Sequence, residues 1–310
     1  MRLEQLEYLE MIVKTGSFNE ASKRLFMTQP SLSNAIKKLE EELKIKLLLR
    51  TKTGVSLTDD GREFMSYSKQ VTDQVSLLQE RYKKHEPRKK SFSVSAQHYA
   101  FVVSAFVELL KGLDVDEYNF TLRETETQNI FDDLNEFKSE IGILYLNNFN
   151  EKVLQKIMKE NDLEFQPLFN AKPHIFVGYR NPLIKKKSVK LADLEDYPYL
   201  SYEQGDANSF FFAEEILSTI VHKRNIKVSD RATIFNLMAG VNGYTISSGI
   251  ISNDLNDDKI VAIPLDVDDS MTLGLVKHKQ IELSLTAAEY LKILKRHIQN
   301  YGFQIIDENN

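Results

Sequence analysis

One short segment near the start of the sequence carries the side chains best suited to reading a nucleic acid. Gln29 can pair with adenine through its amide, Ser31 can bond to either type of base, and Pro30 presents an apolar edge to a thymine methyl group. Polar and basic side chains beside them suit phosphates, which position a protein on DNA without specifying sequence. We expect those phosphate contacts from Ser33, Lys37 and Lys38, and Asn34 on the same helix is a further DNA-binding candidate.

A second set of polar segments could bind a small molecule. In an α/β domain, ligands bind at the carboxyl ends of strands, where helix N-termini point backbone amides at them. Each segment could equally be ordinary loop and capping chemistry, and His98 could bind an anion, sense pH or only cap a helix. The candidate residues are Ser95, Gln97, His98, Thr125, Thr127, Ser201 and Gln204, with Thr245 as a further candidate.

Three predicted helices would position the first segment. Apolar spacing over residues 3–14 predicts a helix that ends at Gly16, and the capping box Ser17-Phe18-Asn19-Glu20 begins a short second helix. Thr28 can cap a third helix, which carries the polar face described above. This third helix alone could be an amphipathic helix with a solvated face, so its role depends on the pattern around it.

A hairpin and a long helix follow. Two extended runs flank Lys52-Thr53-Gly54 and predict a wing, from which Arg50 and Lys52 would reach the flanking backbone or minor groove. Thr58 can cap a fourth helix through about Lys84. Apolar residues seven apart form two interleaved heptad rows on this helix, which predict a coiled-coil-like contact between two copies of the chain. The rows are Phe64, Val71 and Leu78, and Val75 and Tyr82.

Charge differs between the start of the chain and the rest. The net formal charge is −5, but residues 1–58 carry +3 and the other 252 residues carry −8. A basic head on an acidic body favours a modular nucleic-acid-binding protein.

The body of the chain has a different rhythm. After a basic segment at residues 81–90, which is a solvated hinge or a supplementary phosphate contact, predicted strands and helices alternate. That alternation predicts an α/β domain over residues 91–310, with one of its helices near Phe211–His222. We therefore expect a DNA-binding head at residues 1–58 and a linker helix with hinge at residues 59–90.

The head resembles that of LysR-type transcription regulators. The resemblance is dense over residues 1–65, whereas the body is similar only in length, strand–helix order and a few small motifs. Three departures stand out: Leu48 replaces a usual phenylalanine, Asn34 replaces a frequent arginine, and Gln97-His98-Tyr99 replaces a common proline. The matching segments are Gly16–Leu25, Thr28–Ser33, Ile36–Glu40, Arg50-Thr51 and Leu57–Gly61.

The resemblance implies a fold, partners and an activity. It implies an all-α winged helix-turn-helix with a long linker helix, followed by an α/β domain of two lobes like a periplasmic binding protein. Lobe 1 would comprise residues 91–163 and 267–310, and lobe 2 residues 164–266, with the effector between them. The protein would be a homodimer or homotetramer whose binding to double-stranded DNA is modulated by a small polar or anionic metabolite.

Several other classes of protein are disfavoured by the sequence. Cysteine is absent, so disulfides, thiolate nucleophiles and Cys-containing zinc sites are excluded. No two histidines stand within five residues, and nucleophile-elbow, P-loop and dinucleotide motifs are missing, so we expect neither an enzyme nor a cofactor. The acidic, amphipathic start and the lack of a long apolar run predict a cytoplasmic protein without a membrane segment. The alternatives are a transport-type binding protein with an incidental helical head, or an enzyme that turns over its ligand.

Overall fold

The computed structural model describes residues 1–51, 54–83, 90–115, 117–207, 209–251 and 259–306. The chain divides into two compact units, Met1–Arg88 and Lys89–Asn310. Most of the predicted hinge, residues 84–89, lies outside the described residues.

The first unit has the predicted order of three helices, a hairpin and a long helix. Its helices pack around a core that includes Leu9, Ile12, Leu32 and Leu39. The elements are α1 (Leu3–Thr15), α2 (Phe18–Arg24), α3 (Gln29–Leu43), β1 (Leu48–Thr51), β2 (Gly54–Leu57) and α4 (Asp59–Lys83).

Caps define the starts and ends of these helices. Gly16 ends α1 with a left-handed φ of 66°. The Ser17 hydroxyl accepts the Glu20 backbone N–H at 3.4 Å, as predicted, but the Glu20 carboxylate pairs with Arg24 rather than reaching back to complete a capping box. Thr58 caps α4 by accepting the backbone N–H of Gly61 at 2.8 Å.

A buried carboxylate joins α3 to the hairpin. Glu40 is 9% exposed, and its Oε1 accepts the backbone N–H groups of Leu47 and Leu48 at 2.9 and 3.2 Å. Lys46 donates to Oε2 at 2.8 Å. Burial opposes ionisation, but these hydrogen bonds outweigh it, so the pKa of Glu40 lies below its usual value. The start of the hairpin is thereby held against the C-terminal half of α3.

The second unit contains two five-stranded mixed sheets, each with its own helices. Lobe 1 comprises β3 (Lys90–Ala96), α5 (Ala100–Lys111), β4 (Tyr118–Glu124), α6 (Thr127–Asn135), β5 (Ile141–Leu146), α7 (Glu151–Glu160), β6 (Leu163–Ala171), β12 (Met271–His278) and α9 (Leu285–Asn300). Lobe 2 comprises β7 (His174–Gly178), β8 (Tyr199–Tyr202), β9 (Asn225–Val228), α8 (Arg231–Val241), β10 (Tyr244–Ser247) and β11 (Ile260–Pro264). The strand orders are β4-β3-β5-β12-β6 in lobe 1 and β11-β7-β10-β8-β9 in lobe 2.

The first crossing between the lobes differs from the expected one. Residues 164–171 were expected in lobe 2, but β6 pairs antiparallel with β12 from Leu163↔His278 to Ala171↔Met271. The first crossing therefore lies between β6 and β7. A hydrophobic pattern cannot distinguish these two assignments, because a strand buried in either sheet presents the same apolar residues.

The prediction of a helix near Phe211–His222 is wrong. Only a 3-10 turn at Phe210–Phe212 is present, and Leu217 has a positive φ of 64°. Glu214 and Glu215 explain the difference, because their carboxylates accept backbone N–H groups of His98 and Tyr202. These tertiary hydrogen bonds override a local helical preference.

We predict that Glu40→Ala destabilises the first unit by about 2 kcal/mol, because two buried amides and Lys46 lose a charged acceptor. The advantage of the wild type is present above the unfolded pKa of about 4.5 and is lost as pH falls through the lowered folded pKa. Urea unfolding of the full chain, with hydrogen exchange at α3 and β1 amides, measures the change in the free energy of unfolding. Glu41→Ala is the matched control, since its exposed pair with Lys37 at 3.5 Å contributes below about 0.5 kcal/mol. Equal effects of the two substitutions would contradict the prediction.

Candidate nucleic-acid interface and ligand cleft

The predicted DNA-contacting residues of α3 form one helical face. Pro30, Asn34, Lys37 and Lys38 are exposed along it, and Gln29 is half-buried at the first position of the helix. Leu32, Ile36 and Leu39 pack into the core on the opposite side.

Two serines of α3 also belong to the predicted set, and Ser31 is exposed. The Ser31 hydroxyl lies 2.8 Å from the hydroxyl of Thr28, which caps the helix by accepting the Ser31 backbone N–H. Ser33 is half-buried. A hydroxyl that is already bonded locally can still accept a hydrogen bond, so Ser31 keeps capacity for a base or phosphate.

The wing residues are only partly described. β1 pairs antiparallel with β2, and Arg50 stands opposite Val55. Lys52 lies outside the described residues, as does the side chain of Arg50. Their predicted contacts with DNA stay predictions.

The long helix α4 exposes large apolar side chains. Tyr67, Val71 and Leu78 are 64%, 48% and 57% exposed, whereas Phe64 packs against the core of the first unit. Val71 and Leu78 belong to one of the predicted heptad rows. Exposed apolar residues repeated along one helix favour contact with another protein surface.

In the second unit, lobe 1 presents the ends of β3 and β4 to lobe 2. Gln97 donates from Nε2 to the hydroxyl of Thr127 at 2.7 Å, and its Oε1 accepts the Tyr145 backbone N–H at 3.1 Å. Thr127 in turn donates its hydroxyl to the backbone carbonyl of Phe212, and its backbone N–H donates to Oε1 of Gln204 at 3.2 Å. Gln204 and Phe212 belong to lobe 2, so this network bridges the cleft.

His98 bridges the cleft through both its backbone and its ring. Its backbone N–H donates to Oε2 of Glu214 at 2.9 Å, and its Nδ1 lies 2.9 Å from the same oxygen. The ring stacks on Tyr202, with 3.9 Å between ring centroids. Burial disfavours the charged imidazole, but the charge and hydrogen bond of Glu214 outweigh it, so the pKa of His98 is raised.

A small cavity of about 30 Å³ remains between these groups. Its walls include His98 from lobe 1 and Glu214, Arg231 and Thr245 from lobe 2. The hydroxyl of Thr245, which is 4% exposed, and the Nη1 of Arg231 are buried there without a hydrogen-bond partner among the described residues. The Nη2 of Arg231 lies 3.3 Å from Oε2 of Glu124, at the end of β4. Buried polar groups without partners are uncommon, and a cavity beside them indicates room for a polar ligand or water.

The structure brings together most of the predicted effector residues. Gln97, His98, Thr127 and Gln204 form the network across the cleft, and Thr245 lines its cavity. In the described part of the chain, the other three predicted residues, Ser95, Thr125 and Ser201, neither belong to this network nor line its cavity. Ser201 nevertheless lies close to Gln204, because both line a second cavity.

Ser95 and Thr125 make hydrogen bonds within lobe 1, and Ser201 lines a different cavity. Ser95 is fully buried and donates its hydroxyl to Asp133 at 2.6 Å. Thr125 accepts the side-chain amide of Asn129 at 3.2 Å. Ser201 lines a second cavity of about 360 Å³ in lobe 2.

Sequence reasoning missed Arg231, Glu214 and Glu124. One available signal was Asp230, whose carboxylate caps α8 by accepting the Thr233 backbone N–H at 2.8 Å and so places Arg231 at a helix start. Another was the pair Glu214-Glu215, two carboxylates inside an otherwise apolar run, which have to find donors if that run is buried.

In the described part of the chain, no helix is both long enough and apolar enough to cross a membrane. No group of His, Asp and Glu side chains within the same residues is arranged to hold a metal ion.

Two family models match the chain. The model described as a bacterial regulatory helix-turn-helix protein of the lysR family matches residues 3–62, and the LysR substrate binding domain matches residues 100–299. The chain is similar to the HTH-type transcriptional regulator AlsR of Bacillus subtilis, at 29% identity over 65% of this chain and 64% of AlsR, which is less than two thirds of that protein. It is also 24% identical to the transcriptional activator CmpR of Synechocystis, over 95% of each chain.

Solved structures share the fold. A full-length mutant of BenM is 20% identical, with a TM-score of 0.50 over 99% of this chain and 100% of that one. A cysteine mutant of OxyR from Corynebacterium glutamicum is 18% identical, with a TM-score of 0.51 over 96% of this chain and 94% of that one.

We predict that the His98 ring titrates above pH 6.5 and the His222 ring below it, because Glu214 stabilises the first imidazolium and burial disfavours the second. A raised pKa means that the His98–Glu214 stabilisation is full below about pH 6.5 and is lost as pH rises through the folded value. NMR titration of both rings in the full chain measures the pKa values. Wild type should also lose its stability advantage over His98→Asn as the pH rises above about 6.5, and a difference that stays constant with pH would contradict the assignment.

Proposed function

The chain belongs to the LysR family of DNA-binding transcription regulators, and we propose that α3 reads its operator while the cleft of the second unit binds the effector. The substrate-binding-domain match supports an effector domain, and the contacts above support the particular residues. The observation that carries the effector site is the cavity between the lobes, in which Thr245 and Arg231 each hold an unpartnered polar atom.

On the DNA side, the N-terminal end of α3 enters the major groove. Gln29, Pro30 and Ser31 meet the base edges, and Lys37 and Lys38 contact phosphates on the exposed face. Ser33 and Asn34 supply further polar contacts, and Arg50 and Lys52 extend the contact from the wing. This arrangement uses the first unit alone and requires no contribution from the second.

On the effector side, a small polar or anionic metabolite binds between the lobes. Its polar or acidic groups bind the guanidinium of Arg231 and the hydroxyl of Thr245, two donors that are already desolvated. Gln97, His98, Thr127 and Gln204 surround it from both lobes. Because the ligand contacts both lobes, it shifts the equilibrium between cleft conformations. Among the described residues, the side chains of Ser95 and Thr125 bond within lobe 1 and Ser201 lines the lobe 2 cavity, so their part stays a prediction.

Two chains associate through α4, whose exposed Tyr67, Val71 and Leu78 are otherwise left in water. A homodimer grips two half-sites at once, and pairing of two dimers makes the homotetramer. The protein acts in the cytoplasm, where its double-stranded DNA partner is found, and it regulates without catalysing a reaction.

We predict that Gln29→Ala relaxes preference at one base position of the operator, at a cost of about 1–3 kcal/mol. Lys37→Ala is the matched variant on the same helix face, and it should weaken binding to all sequences alike and reduce the salt slope by about 1. Binding-site selection and salt titration with the full chain measure both effects. An unchanged base preference in Gln29→Ala would remove the base-reading role.

We predict that Thr245→Val weakens effector binding about 10-fold, because a hydrogen bond to a charged ligand group contributes about 1.5 kcal/mol. The effector is first found by thermal shift of the full chain against small carboxylates and amino acids, since a ligand of the folded state raises the melting temperature. Calorimetry then compares the variants. Thr272→Val is the matched control, because the Thr272 hydroxyl bonds to Asn170 on the lobe 1 sheet and does not line the cavity. Equal affinities of both variants would move the effector away from Thr245.

A further inference from the structure

Two backbone N–H groups at the cleft face of lobe 1 find no side-chain acceptor at the start of their own helices. Neither α5 nor α6 has a side-chain cap at its N-cap residue. Lobe 2 supplies the acceptors instead: Glu214 bonds to the backbone N–H of His98, just before α5, and Gln204 bonds to that of Thr127, the first residue of α6. Amides at a helix start favour a negatively charged partner, and one of these two has a carboxylate.

The Glu214 carboxylate is held from several directions. Its side chain is 5% exposed, as is that of His98. Oε2 accepts the His98 backbone N–H at 2.9 Å, both oxygens lie within 3.0 Å of the His98 ring, and Oε1 accepts Nε2 of Gln204 at 3.3 Å. A buried carboxylate with this many donors occupies a place that would suit the carboxylate of a ligand.

Glu214 belongs to a segment that fastens lobe 2 to lobe 1. We define the strap as residues 209–215. The Phe212 carbonyl accepts the Thr127 hydroxyl at 2.7 Å, and the Ala213 carbonyl accepts the Tyr145 hydroxyl at 3.1 Å. These contacts hold the lobes together, and the cavity between them is small, about 30 Å³. The strap has to move before a ligand can take the position of Glu214.

We propose that Glu214 is a built-in ligand that keeps the cleft closed without an effector, and that a carboxylate-bearing effector acts by taking the His98 amide and displacing the strap. This inference rests on the proposed function, because it concerns regulation of the same cleft. The effector then does not close an open cleft but exchanges with a carboxylate of the chain.

The neighbouring groups fit this exchange. Glu215 also lines the cavity and is 3% exposed, and burial together with the charge of Glu214 raises its pKa well above the usual value. The raised pKa reduces the negative charge with which Glu215 would repel an incoming anion. Arg231 and Thr245 supply the unpartnered donors for the rest of the ligand. Because Glu214 competes for the site, the apparent affinity of the effector is its intrinsic affinity multiplied by the fraction of molecules in which Glu214 has left the site.

The first test removes the Glu214 carboxylate from the site and uses acetate as the probe. Glu214→Ala in the full chain should create a position for a small carboxylate, so acetate should bind with a dissociation constant on the order of millimolar and raise the melting temperature. Wild type and the matched control Glu203→Ala, whose side chain is exposed, should not respond at the same concentration. Acetamide, the neutral analogue, should bind none of the three. Equal responses of wild type and Glu214→Ala to acetate would overturn the proposal.

A second test covers the case in which Glu214→Ala does not fold. Glu214→Gln keeps the shape of the side chain but removes its charge, so hydrogen exchange at the His98 amide should accelerate by about 10-fold relative to wild type. Unchanged exchange there would overturn the proposal. Neither test uses an effector, so failure of the built-in ligand would be distinguishable from failure of Thr245→Val to weaken effector binding.

Discussion

A buried backbone N–H must find an acceptor, and this requirement organises the cleft of the second unit. The amides of His98 and Thr127 lie at the starts of α5 and α6, where no acceptor of the same helix is available. Glu214 and Gln204 of the opposite lobe accept their hydrogen bonds. These two amides of lobe 1 are therefore paired only when lobe 2 packs against it. Burial of Glu214 follows from this pairing, and the stacking of His98 on Tyr202 accompanies it. A ligand that enters must supply the same acceptors or leave the amides unpaired.

The first unit applies the same rule for a different purpose. Glu40 accepts the backbone N–H groups of Leu47 and Leu48, where the chain leaves α3 for the hairpin, and thereby holds the start of the hairpin against α3. In both units a side-chain carboxylate accepts backbone N–H groups that local secondary structure leaves unpaired. Glu40 lies seven and eight residues from its amides, whereas Glu214 lies 116 residues from that of His98. The consequences differ because the Glu40 contact lies within one rigid core, whereas the Glu214 contact lies between two lobes that could separate.

Most of the fold was predictable because it depends on short-range patterns. Apolar spacing, the hydroxyl caps of Ser17, Thr28 and Thr58, and Gly16 determine where the head helices begin and end, and these signals act within a few residues. The alternation of strands and helices predicted the α/β body in the same way. The two clear errors, the place of β6 and the helix near Phe211–His222, concern segments whose structure is decided by distant partners.

The sequence by itself determined the winged helix-turn-helix, the long linker helix, the α/β body and the polar face of α3, because each follows from residues that are neighbours along the chain. It also indicated Gln97, His98, Thr127, Gln204 and Thr245 as candidates, since polar residues after strands lie at a sheet edge. Only the tertiary structure decided which of them meet, and it added Arg231, Glu124 and Glu214. Glu214 lies 116 residues from His98 along the chain. A contact over that separation depends on how two lobes pack, and no local pattern encodes it.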